Sequence, residues 1–96
     1  MDIDTTCFAK KGEFVARVIE GETIIVPVRG QVGDLESIYN LNEVGSLIWE
    51  RLDGRTTVSQ IVEAVSAEFE VTPEQAREDA LDFLNGLESA GLIEAA

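Results

Sequence analysis

Histidine is absent from this 96-residue sequence, cysteine occurs once, and only seven Lys and Arg stand against nineteen Asp and Glu. With the thiol of Cys7 alone, the chain can form no internal disulfide, and no histidine is present to activate that thiol as a nucleophile. Only an all-oxygen metal site would remain, and the spacing of an EF-hand loop is missing. We therefore expect a protein that is not an enzyme and that uses no metal or other cofactor.

Long apolar runs are missing as well, since no uncharged apolar segment approaches the roughly 18 residues that a membrane span requires. The N-terminus, MDIDTTCFAKKGEF, has neither the basic start nor the apolar run of a signal peptide. These features predict a soluble cytoplasmic protein without a membrane partner. The formal net charge of −12 repels phosphate backbones, so we expect a basic partner and no nucleic acid.

The first third of the chain shows β-type patterning after a polar start. Residues 1–12 lack periodicity, which predicts a flexible tail in front of one domain over residues 13–96. Two β-rich runs follow, Phe14 to Ile19 and Thr23 to Val28, with a hairpin turn at Glu20-Gly21-Glu22 between them.

A third short strand is predicted around Glu36 to Leu41, and beyond it the apolar period changes to that of helices. Three helices are predicted, with Asn42, Thr57 and Thr72 as their N-caps. Gly91 suits a left-handed cap at the end of the third helix. A small three-stranded antiparallel sheet followed by three helices is an α+β domain, and the packing expected of these helices is winged-helix-like.

The first helix contains two residues that call for a structural reason. Trp49 lies beside the apolar stripe and is predicted to pack in the core. Gly45 costs a helix about 1 kcal/mol relative to alanine, which indicates close approach by another backbone. Asp53-Gly54 is predicted to end this helix in a tight turn before the second one.

The stretch LNEVGSLIWERLDGRTTVSQIVEAVSAEFEVTPEQAREDALDFLNGLESAGLI resembles the PqqD family, named for coenzyme PQQ synthesis protein D. The similarity extends over residues from about 14 to 93. It is carried by Leu41-Asn42, Gly45, Ile48-Trp49, Leu52-Asp53-Gly54, Thr57-Val58, Ile61-Val62, Phe69 and Gly91-Leu92-Ile93. No one of these motifs is decisive, but the combination is specific.

The resemblance implies a RiPP recognition element, a non-catalytic module that holds the leader of a ribosomally made precursor peptide. The module presents that precursor to a maturation enzyme, often a radical SAM protein. In the family, the leader adds as an extra strand to the third strand of the sheet and lies against the third helix. The peptide-binding residues that this placement implies here are Ser37, Ile38, Tyr39, Asn40, Arg77, Leu81, Leu84 and Asn85.

Two other functions share parts of this pattern. A winged-helix DNA-binding regulator needs a basic recognition helix, but the second helix carries no Lys or Arg and the third carries only Arg77. A small acidic carrier protein would use a modified serine, for which Ser37 is the candidate. The β-rich first forty residues and the lack of an Asp-Ser-Leu motif disfavour the carrier.

Overall fold

The computed structural model describes residues 3–29, 32–33 and 38–96. Within these residues the chain forms a short 3₁₀ helix, seven strands and three helices, so the predicted α+β class is confirmed. In chain order they are the 3₁₀ helix Ile3–Thr5, β1 Cys7–Lys10, β2 Phe14–Ile19, β3 Glu22–Arg29, β4 Val32–Gly33, β5 Tyr39–Leu41, α1 Glu43–Glu50, β6 Asp53–Thr57, α2 Val58–Phe69, α3 Pro73–Ser89 and β7 Ile93–Ala95. None of the three helices is long and apolar enough to cross a bilayer.

The first sheet is built on the predicted hairpin of β2 and β3. These strands pair antiparallel from Phe14 opposite Pro27 to Ile19 opposite Glu22. The turn between them places Glu20 and Gly21 at φ 51° and 83°, the left-handed geometry of tight hairpin turns. β4 and β5 both pair with β3. Of the third strand predicted around Glu36 to Leu41, Tyr39–Leu41 forms β5, whereas Glu36 and Ser37 lie outside the described residues.

Pro27 occupies an inner strand, where a residue without a backbone N–H is uncommon. The pairing of β5 covers Thr23 to Ile25 of β3, and the pairing of β4 begins only at Val28. Pro27 therefore lies between the two pairings, at a point where β3 makes no ladder contact with either strand.

A second sheet, in the order β6-β1-β7, consists of three strands that the sequence did not predict. Its middle strand is β1, where Cys7 lies opposite Thr57 and Phe8 lies opposite Ala95. Phe8 is 5% exposed and belongs to the core. The prediction of a flexible tail is therefore wrong for Cys7–Lys10, which pair with two distant strands, and Ile3–Thr5 forms the 3₁₀ helix.

The tight turn predicted at Asp53-Gly54 is instead the start of strand β6. Asp53 Oδ1 accepts hydrogen bonds from the backbone N–H groups of Arg55 and Thr56, at 2.9 and 2.8 Å. These two bonds favour the ionised carboxylate and hold the pKa of Asp53 below its ordinary value. The acid therefore fixes the local backbone where β6 begins to pair with β1.

The helix starts are those that the sequence predicted. Asn42 Oδ1 accepts from the N–H of Gly45 at 2.9 Å, which caps α1. Thr57 and Gln60 form a reciprocal capping box at α2, because each side chain accepts from the backbone N–H of the other residue. Thr72 caps α3 by accepting from the N–H of Gln75.

The end of α3 has the geometry predicted for Gly91. This glycine has φ 79°, its N–H donates to the carbonyl of Glu88, and the N–H of Leu92 donates to Leu87. Such a pair of bonds is a Schellman motif, which satisfies the last carbonyls of the helix and reverses the chain. Ile93, 0% exposed, is thereby directed into the core at the start of β7.

The core is formed by residues of both sheets and of the three helices, and Trp49 belongs to it as predicted, with 5% of its surface exposed. The rings of Trp49 and Phe14 meet edge to face with their centroids 5.3 Å apart. Lys10 Nζ lies 5.0 Å from the centre of the indole ring, and burial lowers the pKa of this lysine. Thr23 donates a buried 2.8 Å hydrogen bond to Ser46, which ties β3 to α1.

Candidate functional site

β5 has an unpaired edge. In the described part of the chain this strand pairs with β3 alone, through Tyr39 opposite Ile25, Asn40 opposite Ile24 and Leu41 opposite Thr23. Tyr39 and Leu41 therefore share the face of the buried residues Thr23 and Ile25, and Asn40 is exposed on the other face. Such an edge presents free N–H and C=O groups to which another extended chain can pair.

A cavity of about 210 Å³ adjoins the end of this strand, between α1 and α3. Asn42, which directly follows β5 and caps α1, forms part of its wall. α1 contributes further lining residues and α3 contributes two. The complete lining is Asn42, Val44, Gly45, Ile48, Asp79 and Phe83.

Gly45 and Phe83 set the distance between the two helices at this cavity. A Cβ at residue 45 would lie 3.1 Å from Phe83 Cε1 and 3.2 Å from the Cβ of Leu41. The close approach predicted at Gly45 therefore exists, but the neighbour is an aromatic ring and a side-chain carbon, not another backbone. Absence of a side chain at this position allows Phe83 to lie against α1.

The cavity is apolar with a polar margin. Val44, Ile48 and Phe83 provide hydrocarbon surface, whereas the side-chain oxygen of Asn42 is already used by the N-cap hydrogen bond. Asp79 accepts one hydrogen bond at Oδ1, from Gln75 Nε2 at 2.9 Å. An apolar side chain with a cationic group nearby would match this lining.

The opposite flank of α3 carries a second cavity, of about 230 Å³, against the N-terminal segment. Its lining is Ile3, Phe8, Leu81, Leu84, Asn85 and Glu88. Arg77 forms an ion pair with Asp4 beside it. At 3.6 residues per turn, Leu81 lies roughly 160° around the helix from Phe83, so the two cavities are separated by the helix itself.

Comparison with known proteins identifies the family. The model of the family described as coenzyme PQQ synthesis protein D (PqqD) matches residues 22–93. The chain belongs to the PqqD family. The resemblance noted in the sequence is thereby confirmed.

The structure is also similar to a solved structure of another protein, TbiB1, which is described in complex with the TbiA(beta) leader peptide. The TM-score is 0.74 at 27% sequence identity, and the match covers 90% of this chain and 94% of the TbiB1 chain. No curated protein matches the sequence significantly.

The structure places the residues that the PqqD resemblance implied as peptide-binding in two separate groups, one at β5 and one on α3. Ile38 and Asn40 are exposed and Tyr39 is half-buried along β5, whereas Ser37 lies outside the described residues. The four α3 residues lie together, but on the flank that faces the N-terminal segment; they are Arg77, Leu81, Leu84 and Asn85.

The α3 residues beside the end of β5 are Asp79 and Phe83, which the sequence analysis did not include. Phe83 falls on the apolar stripe of α3 but is only half-buried. Gly45 was the available signal, because a glycine inside a helix marks the point where a neighbour comes close. It did not identify that neighbour.

The structure offers little support for the two other functions considered from the sequence, DNA binding and a carrier protein. Arg77, the basic residue of α3, is engaged by Asp4 and does not project as a free cation. The candidate carrier serine, Ser37, lies outside the described residues. Across residues 3–29, 32–33 and 38–96, no group of three or more His, Cys, Asp or Glu residues is arranged to hold a metal ion.

Proposed function

We propose that this protein is a RiPP recognition element that binds the leader segment of a ribosomally made precursor peptide. The leader adds as a strand along β5 and places one side chain in the cavity between α1 and α3. The protein does no chemistry of its own on the peptide and presents it to a maturation enzyme. A radical SAM protein is the enzyme class that the family resemblance implies.

The unpaired edge of β5, directly beside an apolar cavity, is the observation that carries this proposal. Main-chain hydrogen bonds along a strand supply affinity that does not depend on sequence, and a pocket for alternate side chains supplies specificity. The structure of TbiB1, a protein of the same fold, in complex with a leader peptide supports leader binding by this chain.

The lining of the cavity indicates which leaders fit. Val44, Ile48 and Phe83 favour an apolar or aromatic side chain, because burying it removes apolar surface from water. Asp79 at the same cavity, together with the net charge of −12, favours Lys or Arg in the neighbouring part of the leader. An acidic leader would be repelled.

The mode of binding can be tested with backbone-modified leaders. The probe is the synthetic leader of the cognate precursor peptide, prepared as a set in which each residue in turn is N-methylated. In an added strand, alternate N–H groups point to β5, so loss of affinity should follow a period of two residues. A leader bound as a helix would lose affinity without that period, and this result would contradict strand addition.

The position of the leader is tested separately by amide chemical shifts during titration. We expect the shifts to cluster at residues 36–41 and along residues 77–88 of α3. A leader with the same composition in scrambled order is the control for non-specific charge attraction. Shifts confined to α2 or to residues before β2 would place the leader elsewhere and exclude the proposed site.

A further inference from the structure

The first sheet has an outer face that α1 does not cover. α1 packs on the face of Thr23 and Ile25, which are 1% and 0% exposed. Residues opposite each other on paired strands point to the same face, so Val15 and Val26 lie together on the other side. The aliphatic residues of this outer face are Val15, Ile19, Ile24, Val26 and Val28.

This outer face is exposed enough to bind a protein. Val15 is 49% exposed and Ile19 is 54% exposed. Ile24, Val26 and Val28 are half-buried on the same face of the sheet. Single exposed apolar residues are common on protein surfaces. A continuous patch across two strands is not, and such patches typically mark interaction sites.

The charges around the patch decide what kind of surface covers it. Glu13, Glu20 and Glu22 are all exposed at the ends of β2 and β3, and Arg17 is the basic residue on the face itself. A second copy of this chain would bring another net charge of −12 against the first. The surface is therefore complementary to a partner with an apolar centre bordered by Lys and Arg.

The location of the face relative to β5 indicates which partner that is. Asn40 of β5 lies opposite Ile24, so the outer face continues to the strand along which we propose that the leader binds. A protein docked on this face would contact the added leader strand at the same time. Contact with both this face and the leader would hold the core peptide, to which the leader is joined, close to the active site of the enzyme that modifies the precursor.

We propose that the outer face of the β2–β3 hairpin is the docking surface for the peptide-modifying enzyme. This inference rests on the proposed function and specifies the partner surface for it. The enzyme contributes an apolar patch that packs on Val15 and Val26, and basic residues that pair with Glu13 and Glu22. Docking there is separate from leader binding in the cavity between α1 and α3.

The test compares two variants of the same strand. Val15→Glu places a charge on the outer face, and Val18→Glu places the same charge on the opposite face, at a residue that is 64% exposed. Affinity for the purified enzyme that modifies the cognate precursor is measured with the leader bound. We expect Val15→Glu to weaken it about tenfold or more and Val18→Glu to leave it within about twofold. Val15→Thr, which keeps the β-branched shape, should weaken it less than Val15→Glu.

Leader affinity, measured alone on each variant, distinguishes the possible failures. If the unmodified protein does not bind the leader, the proposed function fails. If leader binding is intact but Val15→Glu retains full affinity for the enzyme, or Val18→Glu loses as much, the docking surface is wrong. Sedimentation that shows a dimer dissociated by Val15→Glu would also overturn the inference, because the face would then be occupied by a second copy.

Discussion

The ring of Phe83 lies so close to Gly45 that a Cβ at that glycine would be 3.1 Å from the ring edge. This contact joins the first turn of α1 to α3 at the point where the two helices enclose a cavity. Because the glycine is followed closely by Ile48 and preceded by Leu41, both buried, α1 cannot move away without disturbing the core. The width of the cavity therefore depends on the absence of one methyl group.

Gly45→Ala should destabilise the fold, although alanine is the better helix former by about 1 kcal/mol. The new methyl group would press on Phe83 and on the Cβ of Leu41, and the latter is fixed to the strand backbone. Overpacking of this kind costs about 1–3 kcal/mol, so the free energy of unfolding should fall by about 1 kcal/mol in urea titrations.

Gly86→Ala is the matched control for that substitution. This glycine is exposed in α3, and a Cβ there would have no heavy atom within 4 Å. Its replacement should raise the free energy of unfolding by roughly 0.5–1 kcal/mol. Equal effects of the two alanines would show that helix propensity, not the contact with Phe83, determines the result.

Trp49→Ala should lower the free energy of unfolding by about 3 kcal/mol, because a buried indole and its edge-to-face contact with Phe14 are lost. Trp49→Phe keeps an aromatic ring in the position and should cost less. Chemical denaturation followed by far-UV circular dichroism measures both. An unchanged midpoint for Trp49→Ala would show that the indole contributes nothing to the core.

We expect the stability of the fold to decrease at low pH because of Asp53. Its pKa is lowered in the folded protein by the N–H groups of Arg55 and Thr56, so the ionised form stabilises the fold. That contribution is complete above the ordinary value of 3.8 and is lost as the pH falls through the lower folded-state pKa. Asp53→Ala should lower the Tm at pH 7, and this difference from the unmodified protein should shrink in strong acid.

Phe83→Ala should weaken leader binding by about 1–3 kcal/mol, because it removes the aromatic wall of the cavity beside β5. The assignment made from the sequence expects the same loss for Leu81→Glu, on the other flank of α3. Fluorescence anisotropy with a labelled leader compares the two variants, after thermal melting has established that each is folded. Full affinity of Leu81→Glu would remove that flank from the binding site.

Local signals made the helices predictable. The residues of the capping pairs, Thr57 with Gln60 and Thr72 with Gln75, lie three positions apart. Their hydrogen bonds can therefore be predicted from the local sequence alone. The same is true of Gly91 and of the hairpin turn at Glu20 and Gly21, where backbone conformation alone decides.

The second sheet was not predictable in that way because its pairings connect distant residues. Cys7 pairs with Thr57 and Phe8 pairs with Ala95. The local sequence around either residue of such a pair gives no signal that identifies its partner. The part of the candidate site that lies on α3 also depends on contacts between residues that are distant in the sequence. The sequence placed Leu81 among the peptide-binding residues, and nothing in it indicated that Ile3 and Phe8 would line a cavity together with this residue. Nothing in the sequence distinguished Phe83 from the other apolar residues of α3.

The central position of β1 places the first and the last strand of the fold side by side. The N–H of Ala96 donates to the carbonyl of Cys7 at 2.8 Å, so the residue that follows β7 is joined directly to β1. A domain closed in this way tolerates circular permutation, since a short linker can join its ends and new ends can be opened in a surface turn. The same geometry permits its insertion as a unit into a loop of another protein, entering and leaving the host at nearly one point.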